Sequence, residues 1–152
     1  MITATKTEFG TANVEAIWPE IYPLFVKHWE EIAHYKNIPL EPDYEKYKEI
    51  EKVGMLRIFT AREDGKLIGY CVYFINHNLH YKSTIQALQD VLFVQKEKRG
   101  FGMKFIKWCD EQLKNEGVNV VHQHIKKAHN FGPMLERIGY ELVDLIYARR
   151  LI

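Results

Sequence analysis

The stretch Val94–Trp108, Val-Gln-Lys-Glu-Lys-Arg-Gly-Phe-Gly-Met-Lys-Phe-Ile-Lys-Trp, decides the fold of this chain. It follows an apolar run over residues 87–94 that predicts a strand, and it continues into a helical pattern with one apolar face. Gly100 and Gly102 let the backbone expose successive N–H groups, and the helix that begins here points its positive dipole end into the loop. Positive side chains surround the same point: Lys96, Lys98, Arg99 and Lys104. The loop is predicted to bind an anion, and a diphosphate suits it best.

Composition predicts one folded domain over residues 1–152. The chain is 47% hydrophobic and 13% aromatic, which is enough to build a core. Its 21 basic and 20 acidic residues give a net charge of +1, so neither nucleic acid nor an anionic membrane is favoured as a partner. The absence of an apolar signal core and of a membrane-length apolar run predicts a cytoplasmic protein. Cys71 and Cys109 lack metal-type spacing and are predicted to be buried and reduced.

Local patterns predict alternating helices and strands along the rest of the chain. Before the glycine loop, the predicted elements are a strand over 2–9 ended by Gly10, a helix over 14–35 capped by Asn13, and a helix capped by Asp43 that runs to 52. Strands over 55–61 and 67–75, joined by an Asp64-Gly65 turn, and a strand over 84–94 follow. After the loop come a helix with Gly117 as its C-cap, a strand over 118–125, a helix over 134–138 closed by Gly139, and a strand over 141–151. Pro19 and Pro23 are expected to kink the first long helix or to split off its first turn.

One titratable residue, His28, lies on the apolar stripe of the first long helix. A core histidine with a hydrogen-bond partner and a histidine lining a substrate cleft both explain it. His34 does not share a helix face with His28, so the pair with Glu31 does not predict a metal site.

The glycine loop resembles the coenzyme A loop of the GNAT superfamily of N-acetyltransferases, whose pattern is Arg/Gln-x-x-Gly-x-Gly/Ala. Lys96 and Lys104 depart from the family, which usually has proline and a small residue there. The element order resembles the family along nearly the whole chain, and residues 136–140 resemble the end of its closing Tyr-Glu-Lys-Leu-Gly-Phe segment. The alternative is a solvated turn whose lysines serve solubility. The residues of the loop that match are Val94, Glu97, Arg99, Gly100 and Gly102.

The resemblance implies an α/β fold with a mixed, mostly antiparallel central sheet of about six strands flanked by about four helices. The strands over 84–94 and 118–125 would run parallel and then splay apart to admit the pantetheine arm. The implied reaction is acetyl transfer from acetyl-CoA to a primary amine, of a small molecule or of a protein, by direct attack in a ternary complex without a metal. The family usually has two strands where this chain has 141–151, so the last is missing, fused or supplied by a partner chain, and a homodimer is a candidate assembly.

The resemblance also assigns residues to the coenzyme. Backbone N–H groups near Leu92 to Val94 would polarise the thioester carbonyl, as an oxyanion hole does. The tyrosine that often serves the family as general acid aligns with Leu135, so that role cannot be transferred. The implied coenzyme contacts are Leu92, Phe93, Val94, Lys98, Arg99, Gly100, Phe101, Gly102, Met103, Lys104 and Asn130.

Asp90 is the first candidate for a general base. Many members of the family carry a carboxylate at this position, and a protonated amine must lose its proton before it attacks a thioester. A structural aspartate bonded to a neighbouring loop is the alternative. Strict alternation places Asp90 on the same face of the strand as Gln86, Leu88, Leu92 and Val94.

Three histidines are weaker catalytic candidates. Alternation places His122 and His124 on one face of their strand, and His28 is the third; a structural role is the alternative for each. The alternative function for the whole chain is a catalytically inactive GNAT-like fold that binds CoA or a protein partner. Leu135 in place of the usual tyrosine favours that alternative.

Overall fold

The computed structural model describes residues 4–152, with Lys96 and Arg99 described by their backbone alone. One mixed sheet of five strands in sequence order, β1 to β5, forms its centre; all neighbours are antiparallel except β4 and β5. The elements are β1 Thr7–Ala12, α1 Val14–Ile32, α2 Tyr44–Lys52, β2 Leu56–Glu63, β3 Lys66–His77, β4 Ile85–Val94, α3 Gly102–Asn115, β5 Val120–His122 and α4 Gly132–Arg137. A 3-10 turn over Lys96–Phe101 precedes α3. The predicted α/β class with a mostly antiparallel sheet is confirmed.

The sheet is covered on both faces, and each face has its own apolar layer. The α1 layer joins that helix to one face of the sheet through Ile17, Ile21, Tyr70, Phe93 and their neighbours. The α3 layer joins the other helix to the opposite face, and it includes both cysteines, which are buried and unbridged as predicted. Burying each large aliphatic side chain stabilises the fold by roughly 1.5–3 kcal/mol. The strand ends between these layers are therefore held rigidly.

Local signals explain where the first two helices begin. Asn13 Oδ1 accepts the N–H of Ala16 at 2.8 Å, and Asp43 Oδ1 accepts the N–H of Lys46 at 2.9 Å, so both predicted caps are confirmed. The α1 helix runs through its two prolines, and no first turn is split off. The apolar stripe packed on the sheet keeps the helix continuous where propensity alone would interrupt it.

The β2–β3 hairpin turns at Asp64 and Gly65, which have φ of 48° and 83°. Both values lie in the left-handed region that a two-residue hairpin of this kind requires, so the predicted turn is confirmed. The first strand is displaced from its prediction, because Gly10 pairs with Thr60 inside β1 rather than ending it. Residues 2 and 3 of the predicted strand lie outside the described part of the chain.

The C-terminal prediction is wrong. Residues 141–152 form no strand, and every one of them is exposed. A strand requires a neighbour with which to share a ladder, and no other part of the described chain offers one to this segment. Of the six strands expected, five are therefore present. No helix within residues 4–152 has both the length and the apolar character needed to cross a bilayer.

The β4 and β5 strands separate soon after they meet. They pair only from Gln86 with Val120 to Leu88 with His122, which is less than the predicted strand 118–125 would allow. The predicted splayed strand pair is thereby confirmed, and the gap opens beside the second half of β4. This gap positions the candidate site.

Candidate active site

Asp90 lies at an irregularity in β4. Val72 of β3 pairs with Val91, but the next residue, Tyr73, pairs with Gln89, so Asp90 is an extra residue in the ladder. Such a β-bulge re-aims the side chain at that point. Asp90 Oδ2 accepts a hydrogen bond of 2.5 Å from the hydroxyl of Tyr47 on α2.

The bulge also corrects the strict alternation expected for β4. Val91 and Phe93 pack into the α1 layer, whereas Leu92 and Val94 pack into the α3 layer. Asp90 reaches Tyr47, which belongs to the α1 layer, so Asp90 does not share a face with Leu92 and Val94. The extra residue shifts the period of two by one position.

The surroundings of Asp90 raise its pKa above the ordinary value for aspartate. Burial of the carboxyl is the main cause, and the Tyr47 hydrogen bond and the charges of His124 and Lys126 oppose it in part. The residue as a whole stays accessible to solvent, but enough protein surrounds the carboxyl to favour its neutral form. Asp90 therefore takes up its proton at a higher pH than an exposed aspartate does.

Two tyrosines accompany Asp90, and the sequence did not identify them as site residues. The pKa of Tyr47 is raised by burial and by the Asp90 carboxylate, so this phenol stays protonated as a donor. The Tyr70 hydroxyl is buried and has no hydrogen-bond partner among the described residues, and the Tyr70 pKa is raised by burial and then by Tyr47 and Asp90. The only sequence signal for Tyr47 was an aromatic residue four positions after the cap Asp43, and Tyr70 gave none.

The three candidate histidines lie at different places around the gap. The His28 ring is half-buried on α1, with its centroid 5.1 Å from that of Phe93. His122 ends β5, and its Nδ1 is buried without a hydrogen-bond partner among the described residues. His124 lies beyond the strand, exposed, where its charge acts on Asp90. His124 therefore lies within electrostatic reach of the bulge.

The gap between β4 and β5 is bridged at its start and lined by backbone farther on. Gln89 Oε1 accepts the N–H of His124 at 2.6 Å. Gln95 donates its N–H to Ile68 of β3 at 2.8 Å, so alternation turns the N–H of Phe93 toward β3 and that of Leu92 toward the gap. Leu92 therefore presents a backbone donor two residues after Asp90.

The predicted anion loop is a 3-10 turn that leads directly into α3. Phe101 at the N-cap of α3 offers no side-chain acceptor, so no side chain caps the first turn of the helix. Neither Gly100 nor Gly102 has a positive φ, and a Cβ built on either would meet no atom within 4 Å among the described parts of the chain. The helix start is thus open to an approaching anion, and the glycines keep it open.

The remaining predicted coenzyme contacts are distributed around this opening. Lys98 Nζ is paired with Glu63 at 2.5 Å, which directs its charge toward the β2–β3 hairpin. Lys104 is exposed in the first turn of α3, and Met103 is half-buried there. Asn130 Oδ1 accepts the N–H of Gly132 at 2.9 Å and so orders the chain before α4. The Arg99 side chain lies outside what the structure describes.

Two further expectations remain: that no general-acid role can be assigned to Leu135, and that the reaction uses no metal. Leu135 is 4% exposed, packed inside the protein on α4, so the position that aligns with the family's tyrosine carries no acid. Within residues 4–152, no group of three or more His, Cys, Asp or Glu side chains is placed to hold a metal ion.

Comparison with solved structures relates this fold to acetyltransferases. The ribosomal-protein-alanine N-acetyltransferase of Brucella melitensis biovar Abortus 2308 superposes with a TM-score of 0.72 at 15% identity, covering 96% of this chain and 99% of that one. An aminoglycoside acetyltransferase from an uncultured soil metagenomic sample gives 0.69 at 16% identity, covering 95% and 97%. A predicted acetyltransferase from Clostridium acetobutylicum, solved with acetyl-CoA, gives 0.68 at 11%, covering 95% and 96%.

These likenesses establish that the chain has the fold of the GNAT superfamily of N-acetyltransferases. The sequence itself matches no protein-family model, and a search of curated proteins gave no match. The relation is therefore visible in the backbone rather than in the residues.

Proposed function

We propose that this protein is an N-acetyltransferase that moves an acetyl group from acetyl-CoA to a primary amine by direct attack. The observation that carries the proposal is the position of Asp90, a carboxylate with a raised pKa on a β-bulge beside the splayed strands. The shared fold of known acetyltransferases supports it.

The open start of α3 suits the diphosphate of the coenzyme. The N–H groups of its first turn carry a partial positive charge and lack a side-chain cap, and Gly100 and Gly102 present no Cβ against a ligand. Acetyl-CoA would supply the activated thioester carbonyl. Leu92, whose N–H faces the gap, would donate a hydrogen bond to the carbonyl oxygen as negative charge develops on it.

Asp90 would accept the proton that the acceptor ammonium must lose. Because its pKa is raised, the proton affinity of the Asp90 carboxylate is closer to that of the amine than the proton affinity of an exposed aspartate is. Tyr47 orients the carboxyl through its hydrogen bond. Lys126 and His124 lie close enough to act on the Asp90 charge, so they favour the ionised form that can serve as base.

The acceptor is proposed to be the amine of a small molecule or of a protein. Fold neighbours include a ribosomal-protein-alanine and an aminoglycoside acetyltransferase, which represent both classes. The second candidate function is a CoA-binding or protein-binding module without turnover. The buried Leu135 in place of an acid on α4 favours that candidate.

Coenzyme binding and transfer can be tested separately. Acetyl-CoA at about 100 times its Kd should stabilise the protein by about 2.7 kcal/mol, which for a domain of this size raises the melting temperature by roughly 5–10 °C. Dephospho-CoA should give a similar shift, because the diphosphate rather than the 3′-phosphate meets the loop. Release of CoA, followed across a panel of amines and peptides, distinguishes the enzyme from the binding module. If millimolar acetyl-CoA left the melting temperature unchanged, the coenzyme assignment would be wrong.

Tyr47→Phe should shift the pH dependence of transfer. The Tyr47 hydrogen bond favours the Asp90 carboxylate and so lowers its pKa; removing the hydroxyl raises that pKa further. The acidic limb of the kcat/KM profile should therefore move to higher pH. Tyr44→Phe, a phenol removed from the same helix without a bond to Asp90, is the matched control. An acidic limb that stays in place in Tyr47→Phe would remove Asp90 as the titrating base.

A further inference from the structure

The C-terminal segment, residues 141–152, presents an apolar surface without a partner. No backbone hydrogen bond joins it to any other part of the described chain, and every residue is exposed. Backbone groups and large apolar side chains exposed together along an extended segment form a ready template for strand pairing. Seven large apolar side chains are involved: Leu142, Val143, Leu145, Ile146, Tyr147, Leu151 and Ile152.

The segment is anchored near both of its ends. The Tyr140 hydroxyl, just before it, donates to Asp110 Oδ1 of α3 at 2.7 Å. Near its end, Arg150 Nη1 donates to Asn37 Oδ1 at 2.8 Å, and the guanidinium lies 5.9 Å from the centre of the Tyr35 ring. Because these contacts fix where the segment starts and ends, ordering it on a partner costs less conformational entropy than ordering a free tail.

The charge pattern of the segment is complementary to itself. Acidic Glu141 lies at its start and basic Arg149 near its end, and the odd-numbered residues between them, which share their face of an extended strand, are all apolar. Asp144 lies on the other face. If two copies pair antiparallel with Leu145 opposite Leu145, each Glu141 lies opposite an Arg149, and Val143 lies opposite Tyr147. Opposite charges and an aromatic beside a β-branched residue are favourable cross-strand pairs.

We propose that the C-terminal segment is the interface for a second copy of this chain, with the two segments paired antiparallel about a two-fold axis at Leu145. An isologous contact of this kind needs one surface that complements itself. The outer edge of β5 is a poorer partner, because β5 pairs over only Val120–His122, whereas a second copy offers the whole segment. Arg150 lies outside the pairs named above and keeps its contact with Asn37. The proposal does not depend on acetyl transfer.

Sedimentation velocity on the full chain tests the pairing. Wild type should sediment as a dimer of twice 18.0 kDa. Glu141→Arg and Arg149→Glu each place like charges opposite one another at both symmetric positions, so each should weaken the dimer by roughly tenfold or more. Mixing the two variants restores opposite charges at both positions and should restore the dimer. Lys114→Glu, a charge reversal on the exposed face of α3, should leave the dimer unchanged.

Covalent capture provides a second measurement that does not depend on weakening the dimer. Leu145→Cys should form a reducible dimer on mild oxidation, because this residue meets its own copy on the axis; Leu142→Cys should not. The native cysteines are buried and stay out of the reaction. The proposal would be overturned if the wild type were monomeric, if the dimer were insensitive to both charge reversals, or if mixing the two reversed variants failed to restore the dimer. The last two results would point to another surface, such as the β5 edge.

Discussion

Asp90→Asn is expected to lower the rate of acetyl transfer by roughly 10² to 10⁴ while acetyl-CoA still binds. The amide keeps the size of the carboxyl and can still accept the Tyr47 hydroxyl, but it cannot accept the proton of the acceptor ammonium. The remaining rate should come from the small fraction of acceptor that is already a free amine. Steady-state release of CoA measures the loss, and the shift in melting temperature with acetyl-CoA measures the retained binding.

The pH dependence gives this prediction a second readout. As pH rises, free amine becomes abundant without a base, so the ratio of wild-type to variant rate should shrink. The stability of Asp90→Asn gives a further readout, because a variant that loses a purely structural aspartate should be less stable than the wild type. Since the Asp90 pKa is raised in the folded protein, the folded state disfavours the carboxylate, and that penalty is present above the folded pKa and relieved as pH falls. Asp90→Asn should therefore melt at the same or a higher temperature near neutral pH.

The chain contains a matched control for this substitution. Asp110 on α3 also has a raised pKa, caused by burial and opposed by a hydrogen bond from the Tyr140 hydroxyl, but it lies on the far side of the sheet from Tyr47. Asp110→Asn should leave transfer near the wild-type rate. If Asp90→Asn instead keeps wild-type turnover with every accepted amine, Asp90 is not the base. His28, His122 and His124 would then be compared by the same pH series.

The parts of the fold that sequence could predict are those whose cause is local. Asn13 and Asp43 cap helices because a short polar side chain reaches the N–H three residues later, and the Asp64-Gly65 turn needs only two residues that tolerate positive φ. The strand, loop and helix around Gly102 follow from periodicity and composition. Each of these signals lies within a few residues of the structure that it produces.

The candidate site depended on contacts that no local pattern contains. Tyr47 and Asp90 are 43 positions apart, and their hydrogen bond exists because α2 packs on the sheet against β2 and the Tyr47 ring lies against Phe74 of β3. The bulge at Asp90 breaks the period of two, so Leu92 and Val94 do not share the face on which they were predicted to accompany Asp90. The segment 141–152 shows the reverse case: its strand-like pattern is real, but a ladder needs a neighbour, and the described chain supplies none.

Gly102→Val is expected to abolish the stabilisation by acetyl-CoA while leaving the free protein folded. A Cβ at this position meets no described atom within 4 Å, and the backbone there needs no positive φ, so the melting temperature without ligand should change little. With the coenzyme, the added side chain would occupy the space in which the diphosphate must approach the first turn of α3. The loss should equal the whole ligand contribution, about 2.7 kcal/mol at 100 times the wild-type Kd.

A graded series separates crowding of the ligand from damage to the protein. Gly102→Ala should reduce the shift in part and Gly102→Val should remove it, since the effect grows with the volume placed over the helix start. Gly10→Ala, in β1, is the control: its Cβ would make only an ordinary contact of 3.5 Å with Thr60, so the acetyl-CoA shift should stay intact. A full shift retained in Gly102→Val would show that the diphosphate does not approach Gly102, and the coenzyme site would have to be placed elsewhere on the fold.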